Sequence, residues 1–254
     1  MRFGPESIPG CKVWLDGFKY NATGGSINNI PNLGTIGGYF SQTGTNRPVY
    51  DRPLDPNTGR YWPNGIRYTR SSSQSLVYSG GSATAFNFVL SGPSTFFFVV
   101  APTTGIPNGT SASIMFIVGG AVTNNRRIYI DNRAALPATR ALGGSISGAV
   151  TLASFQSNGF QYAASTGKAR SAYVLCSGPQ RDKAYYAGTL QVQSGVYAYP
   201  GVAVSTAPSI GGIAGLYYDG HIGFLVVCEG ILSTASLAFL EKNVSGLYGA
   251  ASIQ

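Results

Sequence analysis

The amino-acid sequence predicts an all-β fold, a β-sandwich closed by one short C-terminal helix. Three observations carry that prediction. Turn formers are abundant and charge is scarce: 254 residues include 35 Gly and 14 Pro, and 10% are charged. Hydrophobic residues make up 44% and aromatic residues 12%, so the chain has ample apolar surface to bury and is not disordered. Between the turn signals lie short aromatic and β-branched runs, which suit strands better than helices.

Taken in order, residues 1–10 read as an N-terminal arm and residues 13–16 as a first strand. Residues 21–64 hold Gly24-Gly25, Gly37-Gly38 and five prolines, a density of turn signals that predicts irregular structure. Tyr39, Phe40, Tyr50, Tyr61 and Trp62 would plug it onto the core. Strands follow at residues 66–69 and 75–78. Thr95-Phe96-Phe97-Phe98-Val99-Val100 is the strongest β signal and predicts a central strand covered on both faces. Its expected neighbours are residues 113–118 and 127–130, joined by a turn at 123–126. From 134 to 165 the signal fades into Gly, Ala and Ser, with a weak strand at 150–155. Residues 173–176, 184–187, 190–192 and 202–204 complete the middle. Residues 222–228 are an apolar run entered through Asp219-Gly220, as expected of a buried strand after a tight turn. Leu237, Leu240, Val244 and Leu247 then step by three and four, sharing one face of a helix over 234–248. Ser233 or Thr234 can cap its start, and Gly246 or Gly249 its end.

Sandwiches of this length are routinely one domain, and no repeat, charge run or long linker divides residues 1–254. The formal charge of +8 reflects scarce acids. The basic pairs Arg126-Arg127 and Arg133 with Arg140 are too sparse for nucleic-acid binding. Cys11, Cys176 and Cys228 are far apart and odd in number, with neither a disulfide framework nor metal spacing. Arg2, Pro5, Glu6 and Pro9 interrupt any apolar leader, and no run of about 18 apolar residues suggests a membrane span. The expectation is a protein that folds in the cytoplasm of the producing cell.

Several motifs stand in order along the chain. At the start is Pro9-Gly10-Cys11-Lys12-Val13-Trp14-Leu15-Asp16. Asn32-Leu33-Gly34, Asn46-Arg47-Pro48-Val49-Tyr50, Gly65-Ile66-Arg67-Tyr68 and Ser73-Gln74-Ser75-Leu76 follow. At the end come Gly211-Gly212, Asp219-Gly220, Leu232-Ser233 and Leu247-Tyr248-Gly249. In this order they resemble the motifs of concanavalin A-like, laminin-G-like jelly-roll domains; the resemblance covers both ends and much of the first third, while residues 105–205 match loosely. It implies a concanavalin A-like jelly-roll sandwich with a short C-terminal helix.

No catalytic constellation stands out. The family's retaining glucanases carry Glu-x-Asp-x-x-Glu on one strand. Here the glutamates are Glu6, Glu229 and Glu241, and none has that spacing to supply two flanking carboxylates. His221 is the single histidine; beside Asp219 at a strand edge, it reads as structural. The aspartates 16, 51, 55, 131, 182 and 219 are scattered, without the clustering of a calcium site. No cofactor or metal is expected. Carbohydrate recognition would use exposed aromatics: Tyr61 and Trp62, Tyr185 and Tyr186, Tyr217 and Tyr218. Adjacent residues of a strand face opposite sides, so one of each pair can be exposed.

Free-standing copies of this domain resemble accessory capsid, fibre or decoration proteins of phages and large DNA viruses. The first expectation is therefore a non-enzymatic structural protein of a virus particle. It would be located in the virion and act by packing against other capsid subunits or copies of itself. The alternative is a carbohydrate-binding, lectin-like module for host attachment. A hydrolase using His221 or Glu229 ranks third.

Overall fold

A computed structural model describes residues 4–16, 24–52, 54–55, 60–61, 65–92, 94–102, 113–119, 125–131, 141–147, 171–177, 182–186, 189–193, 203–213 and 215–248. The first third contributes β1 (Cys11–Asp16), β2 (Asn29–Pro31), β3 (Tyr39–Ser41), β4 (Val49–Asp51), β5 (Leu54–Asp55), β6 (Arg60–Tyr61), β7 (Gly65–Tyr68) and β8 (Leu76–Ser79). A short helix α1 (Asn87–Ser91) precedes β9 (Ser94–Pro102), β10 (Ser113–Val118), β11 (Asn125–Asp131), β12 (Ala141–Ser147), β13 (Ser171–Ser177), β14 (Asp182–Tyr186) and β15 (Thr189–Gln193). The chain closes with β16 (Ser209–Ile210), β17 (Gly212–Ile213), β18 (Leu216–Tyr217), β19 (Gly220–Glu229) and α2 (Thr234–Tyr248).

Two large sheets and a separate two-stranded β5–β6 sheet are built from these strands. The first runs β15-β14-β13-β9-β19-β7-β4, with β1 also paired to β19; the second runs β12-β11-β10-β16-β8-β3-β2, with β18 joined to β10 and β17. The pairs are antiparallel except β10 with β18. The fold is all-β, as the composition predicts.

Alternation along the strands explains where the core sits. Phe96 and Phe98 of β9, Val13 and Leu15 of β1, and Leu225 and Val227 of β19 point into the space between the sheets. They meet Ile30, Phe40, Leu76, Tyr78 and Phe116 of the second sheet. The intervening residues Phe97, Val99, Trp14, Phe224 and Val226 form a second cluster on the outer face of the first sheet, joined by Ile8, Leu232 and Leu240. Leu237 and Phe239 of α2 pack against that cluster. The central strand is thus buried on both sides, as expected, because the helix covers the face that the second sheet does not.

Two sequence motifs have a geometric cause. Asn32 is buried; its Oδ1 accepts from the Trp14 N–H (2.9 Å) and the Gly34 N–H (3.0 Å). Its Nδ2 donates to the Lys12 carbonyl (3.1 Å) and the Gly37 carbonyl (2.9 Å). At Gly34 a Cβ would stand 2.3 Å from the Lys12 carbonyl oxygen, so the close approach of this turn to β1 requires glycine. Helix α2 starts at a capped end: the Ser236 N–H donates to Ser233 Oγ (3.1 Å) and the Leu237 N–H to the Ser233 carbonyl (3.0 Å). Ser233, rather than Thr234, is the cap.

Other expectations need correction. Residues 21–64 contain short strands, because β3 pairs with β8 and β4 with β7 later in the chain, and β2 adds on to β3. Phe40 is the plug foreseen, but Tyr39 and Tyr61 are exposed. Of the strand expected at 202–204, the described residues 203 and 204 are irregular: Val204 is buried and its N–H donates to Asn87 Oδ1 (2.7 Å). The weak strand at 150–155 lies outside the described residues.

Candidate functional site

Strand β7 ends at Tyr68, and the next residues form a single tight turn, Arg70–Ser72. Ser73 leaves it in the left-handed conformation (φ 52°), and its N–H donates to the Arg70 carbonyl (2.9 Å). Gln74 clamps the turn: its Oε1 accepts from the Thr69 N–H (2.6 Å) and its Nε2 donates to the Arg47 carbonyl (2.7 Å). The Ser73-Gln74 pair of the sequence motif is therefore the lock on a loop.

Opposite this loop stands the β17–β18 hairpin. Gly211 (φ 86°) and Gly212 (φ 133°) begin it, and a Cβ on Gly211 would lie 2.2 Å from Cε1 of Tyr68. Tyr68 and Tyr218 meet edge to face beneath, with centroids 6.2 Å apart, and both are fully buried. Burial and the neighbouring Tyr50 push the Tyr68 phenol well above its ordinary range. Because successive residues alternate, Thr69 next to Tyr68, and Tyr217 and Asp219 on either side of Tyr218, turn outward into a cleft. Arg70, Ser71, Ser73 and Gly215 complete its lining; the cleft is shallow and open to solvent, with a volume of about 460 Å³. A half-buried tyrosine, a guanidinium, a carboxylate and hydroxyls converge there: an apolar ring face beside donors and acceptors.

The backbone leaving the cleft leads to a charged cluster on the outer face of the first sheet. Tyr218 Oη donates to the His221 carbonyl (3.3 Å). His221 Nε2 lies 2.9 Å from Asp51 Oδ2, and Arg67 Nη1 is 4.0 Å from the same oxygen. Burial works to raise the Asp51 carboxyl. The His221 hydrogen bond, the Arg52 N–H and the charges of His221 and Arg67 outweigh it and hold the group below its usual range. His221 pairs with Asp51, 170 residues away, rather than with Asp219. Glu229 is tied to Lys12 Nζ at 3.0 Å.

The aromatic pairs separate. Tyr217 lines the cleft, whereas Tyr218 is sealed in the core and presents no face to a ligand. Tyr61 is 61% exposed, with the Arg52 guanidinium 6.0 Å from its ring centroid. Trp62 lies outside the described residues. Tyr185 and Tyr186 occupy neighbouring positions of β14, opposite Val174 and Tyr173 of β13. Of the six aromatics, Tyr217 is the one that lines the cleft among the described residues. Sequence reasoning missed Thr69, Arg70, Ser71, Ser73 and Asp219 as cleft residues; the available signal was a Ser-rich turn with an arginine directly after a strand. Among the described residues no group of three or more His, Cys, Asp and Glu could hold a metal ion. No helix there is long and apolar enough to cross a membrane.

No model of a known protein family matches the chain, and no curated protein matches its sequence. Solved structures do match its fold. The binding domain of Paraclostridial Mosquitocidal Protein 1 is similar over 92% of this chain and 52% of that one, at TM-score 0.61 and 9% identity. The binding domain of botulinum neurotoxin DC, solved with rat synaptotagmin II and with SialylT, matches over the same shares at TM-scores 0.55 and 0.53, with 10% and 12% identity. Domain 4 of AbnA, a GH43 extracellular arabinanase from Geobacillus stearothermophilus in complex with arabinotriose, matches over 92% of this chain and 98% of that domain (TM-score 0.53, 13% identity). The chain spans about half the length of the toxin domains. At these identities the likeness is one of fold, an all-β architecture of two large sheets.

Proposed function

We propose that this chain is a carbohydrate-binding module that holds a glycan in the cleft between Thr69–Ser73 and Gly215–Asp219. The observation that carries the reading is the convergence of the Tyr217 ring with Arg70, Asp219 and three hydroxyls on a loop fixed by Gln74. A sugar ring stacks its apolar face on an aromatic while its hydroxyls exchange hydrogen bonds with charged groups, which are stronger than neutral ones. The similar folds include domains solved with arabinotriose and with SialylT, which favours this reading over the capsid role ranked first from the sequence. We read residues 1–254 as one jelly-roll domain, acting by binding rather than catalysis.

The test is a glycan array followed by calorimetric titration of the sugar class found. Tyr217→Ala and Arg70→Ala should each weaken binding about tenfold or more while circular dichroism stays unchanged. A blank array from folded protein, or unchanged affinity in both variants, would overturn the assignment.

The virion-component role keeps one supporting observation. Tyr39 and Val77 are exposed at diagonal positions of β3 and β8 on the second sheet, two apolar side chains that a neighbouring subunit would cover. The two roles are compatible, since attachment proteins of particles bind glycans and pack against subunits.

A further inference from the structure

Cys11 and Cys228 are separated by most of the chain, yet they are direct partners across β1 and β19. Both are buried, neither is in a disulfide, and both belong to the apolar cluster on the outer face of the first sheet. The hydrogen-bond pattern fixes the kind of pair. The Glu229 N–H donates to the Gly10 carbonyl (2.9 Å), while the Cys11 N–H turns away to the Ile8 carbonyl (3.3 Å). A bond from the residue after Cys228 to the residue before Cys11 flanks a non-hydrogen-bonded pair. In such pairs the Cα atoms approach to about 4.5 Å and the side chains lie closest. That spacing falls inside the window of roughly 4.4 to 6.8 Å that a disulfide spans.

We propose that Cys11 and Cys228 are a modification site, forming a cross-strand disulfide when the chain meets a small-molecule disulfide such as oxidised glutathione. One cysteine thiolate attacks a glutathione sulfur, giving a mixed disulfide and releasing one glutathione thiol. The second cysteine thiolate displaces the other glutathione. Two protein thiols lose two electrons and two protons, and one small disulfide becomes two thiols. Because both sulfurs are sealed under α2 and β1 is held by the 32–37 turn, exchange takes place during folding or when β1 opens. The bond would close a loop of roughly 220 residues by tying the first strand to the last. This inference is independent of the glycan cleft.

The experiment is refolding of the full chain in a glutathione redox buffer, with peptide mapping under non-reducing conditions. The expected result is one linked peptide pair joining Cys11 to Cys228, with Cys176 still titratable. The unfolding midpoint should lie roughly 5–10 °C above that of the reduced protein, and dithiothreitol should reverse the shift. Cys176→Ser should oxidise like the parent. Cys11 and Cys228 remaining free in the refolded parent, or linked instead to Cys176, would overturn the proposal, and the parent map decides it even if a serine variant fails to fold.

Discussion

Asn32 is the point at which a single substitution should test the architecture most directly. Its side chain makes four hydrogen bonds to backbone groups of β1 and of its own turn. Asn32→Ala removes the acceptor of the Trp14 and Gly34 N–H groups, where both bonds are buried. Losing the partner of a buried polar group costs about 1–3 kcal/mol, so the two together give about 3–4 kcal/mol. The acceptor side adds less, because the Lys12 carbonyl also receives the Ile36 N–H at 3.4 Å. Urea unfolding followed by tryptophan fluorescence should show the midpoint falling by roughly 1–2 M at unchanged slope. Asn29→Ala, at an exposed position of β2, should stay within about 0.5 kcal/mol of the parent. An Asn32→Ala loss below about 1 kcal/mol would refute the claim that this side chain pins the turn to the first strand.

Two further outcomes follow from buried or paired groups. Tyr68 Oη has no hydrogen-bond partner among the described residues although the ring is fully buried, so Tyr68→Phe should leave stability unchanged or raise it by about 1 kcal/mol; a loss above about 1 kcal/mol would show that the hydroxyl is satisfied. Asp51 is held below its ordinary range, so its pairing contributes above the unfolded carboxylate value, about pH 4, and is lost as pH falls through the lower folded value. Asp51→Asn should therefore flatten the acid limb of the stability profile, modestly because the carboxyl is 40% exposed, and a limb identical to the parent's would discard the pair as a stabilising element.

How much of this was legible in the sequence depends on whether the cause is local. The apolar runs at 95–100 and 222–228 announce β9 and β19 because a strand buried on both faces has no polar alternation to hide it. The helix period at Leu237 and Leu240 and its Ser233 cap are equally local. Asn32-Leu33-Gly34 stood out as a motif, but its reason, four hydrogen bonds and a Gly34 backbone so near Lys12 that a Cβ would lie 2.3 Å from its carbonyl oxygen, appears only when β1 lies beside the turn. Alternation predicted that one residue of Tyr217–Tyr218 would be exposed. Which one depends on the phase set by the Gly211-Gly212 turn and by pairing with β10 and β17. Asp51 with His221 and Cys11 with Cys228 were out of reach, because nothing in either neighbourhood encodes a partner on a distant strand.

The position of the cleft follows from how the first sheet is covered. Among the described residues, the second sheet packs on its inner face and α2 packs on the outer side of β1, β9 and β19, so a ligand would meet it where strands end and loops begin. Strand β7 ends there in the Arg70–Ser72 turn, and β18 leads from there into β19. The tyrosines beneath the cleft are core residues: Tyr68 fits against Gly211, and Tyr218 holds the His221 carbonyl. Tyr217, Thr69 and Asp219 are their chain neighbours, so the outward side chains take their positions from the inward ones. A cleft supported in this way is ordered before a ligand arrives and loses less entropy on binding than one on free loops. The polar lining could vary in sequence without disturbing the fold, whereas Gly211, Tyr68 and Tyr218 serve the sandwich and the cleft together.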